Sequence, residues 1–423
     1  MTSFKKTILD NGLRLITIPH RDALTTTFLV LVEAGSKYET KELNGLSHFL
    51  EHMCFKGTKK RPRSLDITIE LDSLGAVYNA FTSQEYTGYF AKVEAHKLDQ
   101  VLDIVSDIYL NPVFEPAEIE KEKGVIIEEL NMYEDLPMRK VHDDWMELLY
   151  GDQPAGWNVG GQKEIIKLLN RDQFLKYRGE HYLAPSTVIV VAGAFDEGEI
   201  IEKVKKCFAA MSGGQKADKK PVNEQQSNPA LKVNFKKLDQ THLVLGCRTF
   251  SLADPRRYAL EVLCDALGGG MSSRLFQKIR EEMGVAYYVS ADADLFTDHG
   301  FCSISVGIDS SRLNEVIPAL LGEINKLKTN LIDSAELQKT KNHLVGKIII
   351  SLESSDALAS FYGSQEILRE TIVSPEEYIK KLEAVTSEEI LNLANEVFQN
   401  QKLNLALIGP EINIAQTKEL LHF

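Results

Sequence analysis

The sequence predicts an α+β protein built from two homologous domains, each a mainly antiparallel sheet packed with helices. Three observations lead to this fold class. A polar linker divides the chain into halves of similar size, the two halves share a repeat, and short strands are mixed with amphipathic helices in each half. The 423 residues are enough for two large domains, each with its own core.

The linker covers residues 212–229, which read SGGQKADKKPVNEQQSNP and contain almost no apolar residue. A segment rich in Gly, Pro, Lys, Gln and Asn is typical of a connection between domains. We therefore predict an N-terminal domain over residues 1–211 and a C-terminal domain over residues 230–423.

The internal repeat is seen in two pairs of segments. HKLDQVLDIVSDIY (96–109) matches SRLNEVIPALLGEI (311–324), and AEIEKEKGVIIEEL (117–130) matches AELQKTKNHLVGKI (335–348). In the first pair the matching apolar positions are Leu98 with Leu313, Val101 with Val316, and Leu102 with Ile317. Duplication is the preferred interpretation, although unrelated amphipathic helices share part of this spacing.

Strands and helices follow from local patterns. Residues 25–33 (TTTFLVLVE) and 301–308 (FCSISVGI) are β-branched and apolar, as strands are. Residues 97–110 and 312–327 have the apolar spacing of helices. Residues 284–308 predict a hairpin, and strands joined by such turns favour an antiparallel sheet over a doubly wound parallel one.

Composition excludes several classes of protein. Subtracting 61 acidic from 48 basic residues leaves a charge of −13, the wrong sign for binding nucleic acid. No stretch reaches the roughly 18–20 apolar residues of a membrane span. The five cysteines are scattered and predict no disulfide framework. Without a secretory signal or an Arg-rich leader, we expect a bacterial cytoplasmic protein or, alternatively, a mature protein of an organellar matrix.

Residues 44–57 (NGLSHFLEHMCFKG) predict one helix, with Asn44 at its start and Gly57 at its end. His48 and His52 are four residues apart, so both imidazoles lie on one face and can bind one zinc ion. Glu51 is next to both and can take a proton from a water made more acidic by the metal. The alternative is three ordinary residues on a helix surface.

A catalytic zinc site needs a third protein ligand. Residues 116–133 predict a helix that offers Glu122, Glu128 and Glu129. Glu122 and Glu129 are seven apart and share a face. A glutamate run is also typical of a solvated face, so spacing alone leaves the third ligand open.

The motifs HFLEHMCFKGT (48–58) and NAFTSQEYTGYFAK (79–92) carry a family resemblance. HxxEH is the inverted zinc motif, and the chain resembles the M16 family of pitrilysin, insulin-degrading enzyme and mitochondrial processing peptidase, in its small two-domain branch. In that family 76 residues separate the motif from the glutamate ligand, which points to Glu129 in this chain. The resemblance implies one zinc ion per chain, held by His48, His52 and Glu129.

The same resemblance assigns roles to further residues. It makes Glu51 the catalytic base and Glu122 a glutamate that orients the ligands. Asn79, Ala80 and Phe81 are expected in an edge strand that receives an extended peptide, although an ordinary hairpin strand fits their sequence equally well.

Arg280 and Tyr287, either side of Gly284, are ordinary helix and strand residues by default. They look like the pair with which active family members hold the substrate backbone and stabilise the oxyanion. In the repeat, Lys347 stands at the position of Glu129 and Thr340 at that of Glu122. The C-terminal domain is therefore expected to lack zinc chemistry and to contribute to substrate binding.

The resemblance implies a zinc-dependent endopeptidase that cleaves short, unfolded peptides inside an enclosed chamber. Members of this branch work as dimers, so we expect a homodimer, or a heterodimer with a related non-catalytic subunit. If the charge of −13 is partly displayed inside the chamber, basic peptides would be favoured. The alternatives are a non-catalytic scaffold, like the core subunits of respiratory complexes, and a catalytic subunit that requires a different partner chain.

Overall fold

The computed structural model describes residues 4–369 and 371–423. The strands are β1 (Lys5–Ile8), β2 (Arg14–Pro19), β3 (Thr25–Val32), β4 (Val77–Thr82), β5 (Thr87–Glu94), β6 (Thr187–Gly193), β7 (Ala230–Phe235), β8 (Gln240–Thr249), β9 (Ala286–Leu295), β10 (Gly300–Asp309) and β11 (Leu403–Gly409). The α-helices are α1 (Leu46–Cys54), α2 (Ser64–Ser73), α3 (Leu98–Leu110), α4 (Pro116–Asp135), α5 (Pro137–Tyr150), α6 (Lys163–Leu168), α7 (Arg171–His181), α8 (Glu197–Phe208), α9 (Arg257–Gly268), α10 (Leu313–Thr329), α11 (Ser334–Ser351), α12 (Ser355–Arg369), α13 (Pro375–Glu383), α14 (Ser387–Val397) and α15 (Ile414–Glu419).

The chain forms two compact units, and each one takes segments from both halves of the sequence. The first unit contains the residues up to Leu130, Trp157–Lys220 and Ile350–Ile372. The second unit contains Asn131–Gly156, Pro221–Ile349 and Val373–Phe423. Residues 212–229 form neither helix nor strand, and the change from one unit to the other at Lys220 falls among them. The division into continuous domains over 1–211 and 230–423 stays a prediction.

The sheet of the first unit has six strands in the order β1-β2-β6-β3-β5-β4. Only the pair of β2 and β6 is parallel, and the other pairs are antiparallel. β6 reads TVIVVAG and is buried along its whole length, as a central strand covered on both faces should be. β4 lies at the edge of this sheet.

The sheet of the second unit repeats this arrangement with five strands in the order β7-β11-β8-β10-β9. Again only one pair, β7 with β11, is parallel. β9 and β10 pair antiparallel, which confirms the hairpin predicted over 284–308. The α+β class with two mainly antiparallel sheets is therefore confirmed.

Helices cover both faces of each sheet. In the first unit one face carries a core that includes α1 and α3, and the other face carries α12. In the second unit α9 and α10 cover one face, and α5 covers the other. Cys54 is fully buried in the core that includes α1 and α3. Among the described residues, no helix has the length and apolar character needed to cross a membrane.

Buried charges fasten α12 to the first sheet. The side chain of Glu366 is fully buried, and one of its carboxylate oxygens lies 2.7 Å from Nζ of Lys6 and 3.3 Å from Nη1 of Arg14. Arg14 also donates to Glu33 at 2.6 Å. Buried carboxylates of this kind hold an element in one place because every alternative leaves charge without compensation.

Glu366→Ala is expected to lower the free energy of unfolding of the first unit by about 3 kcal/mol, since it removes the buried carboxylate that faces Lys6 and leaves Arg14 with Glu33 alone. Urea denaturation of the full chain measures this change. The matched control is Glu202→Ala on α8, because Glu202 is exposed and pairs with Lys205 at the surface. Equal stability of the two variants would show that the buried pair does not anchor α12.

Candidate functional site

The helix α1 carries the HxxEH motif and is shorter than predicted. It begins at Leu46, after Gly45 with φ of 96°, and it ends at Cys54, three residues before Gly57. Asn44 does not cap it, because the Asn44 side chain donates to Glu39 at 3.1 Å and to the Asn158 carbonyl at 3.0 Å. The predicted bounds of 44–57 are therefore wrong at both ends.

Glu39 takes the capping role instead. Its carboxylate accepts hydrogen bonds from the backbone N–H of Gly45 at 2.8 Å and of Ser47 at 2.6 Å. Burial raises the pKa of Glu39, and the N–H groups of Ser47 and Gly45 act in the opposite direction. A carboxylate at this end of a helix is favoured by the free N–H groups and by the helix dipole. Glu39 thus fixes the start of the helix that bears both histidines.

Two histidines and one glutamate converge beside α1. Nε2 of His48 lies 3.8 Å from one carboxylate oxygen of Glu129, and Nε2 of His52 lies 3.6 Å from the other. All three residues offer ligand atoms within 4.8 Å of one another. Within residues 4–369 and 371–423, no other three His, Cys, Asp or Glu side chains meet in this way. Glu128, which the spacing also allowed, is exposed.

The donor set fits zinc. A tetrahedral ion with bonds of about 2.0–2.1 Å needs ligand atoms about 3.3–3.5 Å apart, only slightly closer than the 3.8 and 3.6 Å that separate Glu129 from His48 and His52. Burial lowers the pKa of His48 to about 4, and the neighbouring His52 adds to this effect. His48 is therefore neutral near pH 7, which is the form that binds metals. Three protein ligands leave a fourth position for water or substrate.

Glu51 lies on the same helix and is only 9% exposed. Thr82, the last residue of β4, donates a hydrogen bond from Oγ1 to its carboxylate at 2.7 Å. Burial raises the pKa of Glu51, and the hydrogen bond from Thr82 opposes this rise. A carboxylate with a raised pKa is better suited to accept and return a proton near neutral pH.

Glu122, on α4, holds His52 in place. One of its carboxylate oxygens accepts a hydrogen bond from Nδ1 of His52 at 2.9 Å. The other oxygen lies 2.6 Å from Nζ of Lys56. Burial raises the pKa of Glu122, but the hydrogen bonds from His52 and Lys56 outweigh it and lower the pKa overall. Because Nδ1 carries the proton toward Glu122, Nε2 of His52 remains free as a ligand.

Lys56→Met is expected to weaken zinc binding about 10- to 100-fold, because Glu122 loses a cation that helps to lower its pKa and to hold its carboxylate beside His52. Competition with a coloured zinc chelator measures the affinity of the full chain. Lys56→Arg, which keeps the charge, should restore most of it. Equal zinc affinities for Lys56→Met and the wild type would show that Lys56 does not act on the site.

The predicted docking residues Asn79, Ala80 and Phe81 lie in β4, which is the edge strand of the first sheet. The Asn79 side-chain oxygen accepts a hydrogen bond from the Ala80 N–H at 2.9 Å. Because Thr82 ends this strand and binds Glu51, the free edge begins beside the carboxylate. Their role in binding substrate stays a prediction.

Arg280 and Tyr287 lie together in the second unit. Arg280 belongs to a π-helical turn over Phe276–Glu282, and its guanidinium donates to the main-chain carbonyl of Tyr287 at 3.2 Å. The Tyr287 side chain is 63% exposed. A π-helical turn is rare and is often found at functional sites. The roles of this pair also stay predictions.

In the second unit, the residues that match Glu122 and Glu129 in the repeat are Thr340 and Lys347, and they differ from those glutamates in their surroundings. Thr340 is buried and donates to the carbonyl of Glu336 at 2.9 Å, while Lys347 is exposed.

Three residues at the site were missed by the sequence analysis: Glu39, Lys56 and Thr82. Lys56 stands four residues after His52, and this helical spacing is a signal that could have suggested a common partner. Glu39 and Thr82 gave no such signal, because they reach α1 through contacts that no local spacing encodes.

Comparisons with known proteins agree with the fold. The profile of the family described as insulinase, peptidase family M16, matches residues 15–162, and that of the peptidase M16 inactive domain matches residues 168–344. The protein named uncharacterized zinc protease YmxG of Bacillus subtilis is 34% identical over 410 residues, covering 97% of this chain and 99% of that protein.

Two solved structures share the fold. A protease from Helicobacter pylori has a TM-score of 0.90 at 22% identity, covering 97% of this chain and 100% of that one. A chain of Complex III2 from Candida albicans, bound to Inz-5, has a TM-score of 0.85 at 18% identity, covering 99% of this chain and 100% of that one. At these identities the likeness shows the fold alone.

The family profiles and the relative named a zinc protease support a zinc metallopeptidase. The chain belongs to peptidase family M16, which confirms the family resemblance.

Proposed function

We propose that the chain is a zinc-dependent endopeptidase that holds one zinc ion through His48, His52 and Glu129. The observation that carries the proposal is the convergence of these three donors within 4.8 Å, next to the buried carboxylate of Glu51. When bound, zinc supplies a Lewis acid that polarises the scissile carbonyl and makes water more acidic.

The protein's own residues handle the proton and the substrate. Glu51 accepts a proton from the attacking water and returns it to the leaving amine. Thr82 holds Glu51 toward the end of β4, where the substrate would arrive. Glu122 keeps the proton of His52 on Nδ1, and Lys56 pairs with the other carboxylate oxygen of Glu122.

The substrate would bind as an extra strand on the free edge of β4. Main-chain groups of Asn79, Ala80 and Phe81 would pair with an extended peptide, which favours unfolded substrates over folded ones. The Asn79 side chain, which now accepts from the Ala80 N–H, would release that donor to the peptide. Arg280 and Tyr287 would hold the substrate backbone and stabilise the oxyanion, as the family resemblance implies.

The finer features of the proposal come from the resemblance. We propose a homodimer enclosing a chamber for short peptides, with a heterodimer containing a related non-catalytic subunit as the alternative. A preference for basic peptides would follow if the charge of −13 faces the chamber. Cleavage of peptides in which Lys and Glu are exchanged tests this preference. The bacterial cytoplasm is the proposed location, and an organellar matrix is the alternative.

A non-catalytic scaffold is the second candidate function. It is favoured by the shared fold of the Candida albicans Complex III2 chain and by the match to a domain described as inactive. The complete set of His48, His52, Glu129 and Glu51 argues for the peptidase. A catalytic subunit that needs a different partner chain is a variant of the first proposal.

Zinc content and peptide cleavage of the purified full chain test the proposed function. We expect about one zinc ion per chain, cleavage of unstructured peptides, loss of cleavage with a chelator, and recovery when zinc is restored. Zinc without cleavage would favour the scaffold or the partner-requiring subunit. Cleavage that survives removal of zinc would contradict the proposal.

A further inference from the structure

A cavity of about 370 Å³ opens in the first unit between the sheet and α12. Leu29 and Leu31 of β3 and Phe81 of β4 form its sheet wall, and Ser360 and Phe361 of α12 stand across from them. None of the described residues that line it carries a charge. Its size and mostly apolar lining are those of a binding pocket for a small group.

The cavity lies on the face of β4 that points away from Glu51. Thr82 directs its hydroxyl to Glu51, and successive side chains of a strand alternate between faces, so Phe81 points the other way. There Phe81 packs with Leu29 and Leu31 in the core that includes α12. β4 thus contributes Thr82 to the face that carries Glu51 and the neighbouring Phe81 to the wall of the cavity.

The Phe81 ring has a defined position in this wall. It lies over Gly88, its partner on β5, where an added Cβ would come within 2.3 Å of the ring. The ring of Tyr86 meets it edge-on, with 5.8 Å between ring centroids. Gly88 therefore makes the space in which Phe81 borders the cavity.

We propose that this cavity is a specificity subsite that takes an apolar side chain of the substrate, one of the size of leucine or phenylalanine. The inference rests on the proposed docking of substrate at β4. Directly opposed residues of paired strands lie on the same face of a sheet. The peptide residue opposite Phe81 therefore points toward the cavity, and the adjacent peptide residue, opposite Thr82, points to the face that carries Glu51.

This placement explains which side chains are selected. An apolar side chain loses contact with water against Leu29, Leu31 and the Phe81 ring, which is favourable. A charged side chain would be desolvated without a counter-charge among the lining residues, which is costly. The selected residue lies next to the one that faces Glu51, so selectivity should appear within one or two positions of the cleaved bond.

Two measurements on the full chain test the subsite, with decapeptides of polar sequence in which one central residue is Phe, Leu, Ala or Asp. The first is kcat/KM, and the second is the binding of fluorescein-labelled peptides to the Glu51→Gln protein. We expect Phe and Leu to exceed Ala by at least about tenfold in both, and Asp to rank below Ala.

Ser360→Trp fills the cavity from α12, where Ser360 is exposed enough to accept a larger side chain. In this variant the ratio between the Leu and Ala peptides is expected to fall close to one. Glu353→Trp is the control, because Glu353 is exposed, precedes the same helix and does not line the cavity. It should keep the wild-type ratio.

The outcomes separate the subsite from the proposed function. The subsite is overturned if the wild type binds and cleaves the Leu and Ala peptides equally, or if Ser360→Trp leaves the ratio between these peptides unchanged. In either case cleavage of the peptides would still support the proposed peptidase function. Selective binding that Ser360→Trp removes supports the subsite, even if the wild type cleaves nothing and the peptidase proposal fails. No binding and no cleavage of any peptide would overturn both.

Discussion

The Glu51→Gln protein is expected to keep its zinc and to cleave peptides about 10²- to 10⁴-fold more slowly than the wild type. The glutamine amide has nearly the shape of the carboxylate, and its oxygen can still accept the hydrogen bond from Thr82. What it loses is the ability to take a proton from the attacking water. Zinc content by elemental analysis and steady-state cleavage of a fluorogenic peptide measure the two effects separately.

Glu128→Gln is the matched control for Glu51→Gln. Glu128 is exposed on α4, so the same chemical change there should leave both zinc content and cleavage at wild-type values. Cleavage by Glu51→Gln at the wild-type rate would assign the base to another group. Loss of zinc together with cleavage would mean that Glu51 supports the ligands, and the proposed division of roles would then be wrong.

The hairpin of β9 and β10 was predictable because its two apolar runs and its turn lie within 25 residues of sequence. The placement of α12 was not. Its residues follow the repeat in the C-terminal half, yet α12 packs in the first unit, where Glu366 meets Arg14 across 352 residues of chain. Local periodicity predicts that a helix forms but does not indicate which sheet buries its apolar face.

The same limit applies within the site. Helical spacing placed His48 and His52 on one face, since four residues make slightly more than one turn. It misplaced the ends of α1, because the helix start depends on Glu39, whose position relative to Gly45 is set by the folded chain. Lys56 acts on the site through Glu122, and Thr82 acts on it through Glu51. Both contacts exist only once α4 and β4 lie beside α1.

The third zinc ligand is the part of the site where the structure adds most to the sequence. On spacing alone Glu122, Glu128 and Glu129 were all open, and the family resemblance favoured Glu129. In the structure Glu129 is half-buried and bridges both histidines, Glu122 is turned to Nδ1 of His52, and Glu128 is exposed. The direction of each side chain from α4 distinguishes three glutamates of identical chemistry.

Glu129→Gln is expected to weaken zinc binding by more than the roughly 10- to 100-fold that follows loss of a partner outside the ligand set. An amide oxygen carries no charge to offset that of the metal, so the site keeps two neutral imidazoles and loses its anionic donor. Cleavage should fall with zinc occupancy and recover in part at high zinc concentration. Glu128→Gln, one residue away on the same helix, should bind zinc as the wild type does.

Chelator competition and cleavage across a zinc titration distinguish the two variants. A ligand role predicts that Glu129→Gln shifts the zinc concentration required for cleavage, whereas damage to folding would lower cleavage at every concentration. Thermal unfolding of the zinc-free proteins should therefore be similar for Glu129→Gln, Glu128→Gln and the wild type. Tight zinc binding by Glu129→Gln, or weak binding by Glu128→Gln, would place the third ligand elsewhere on α4.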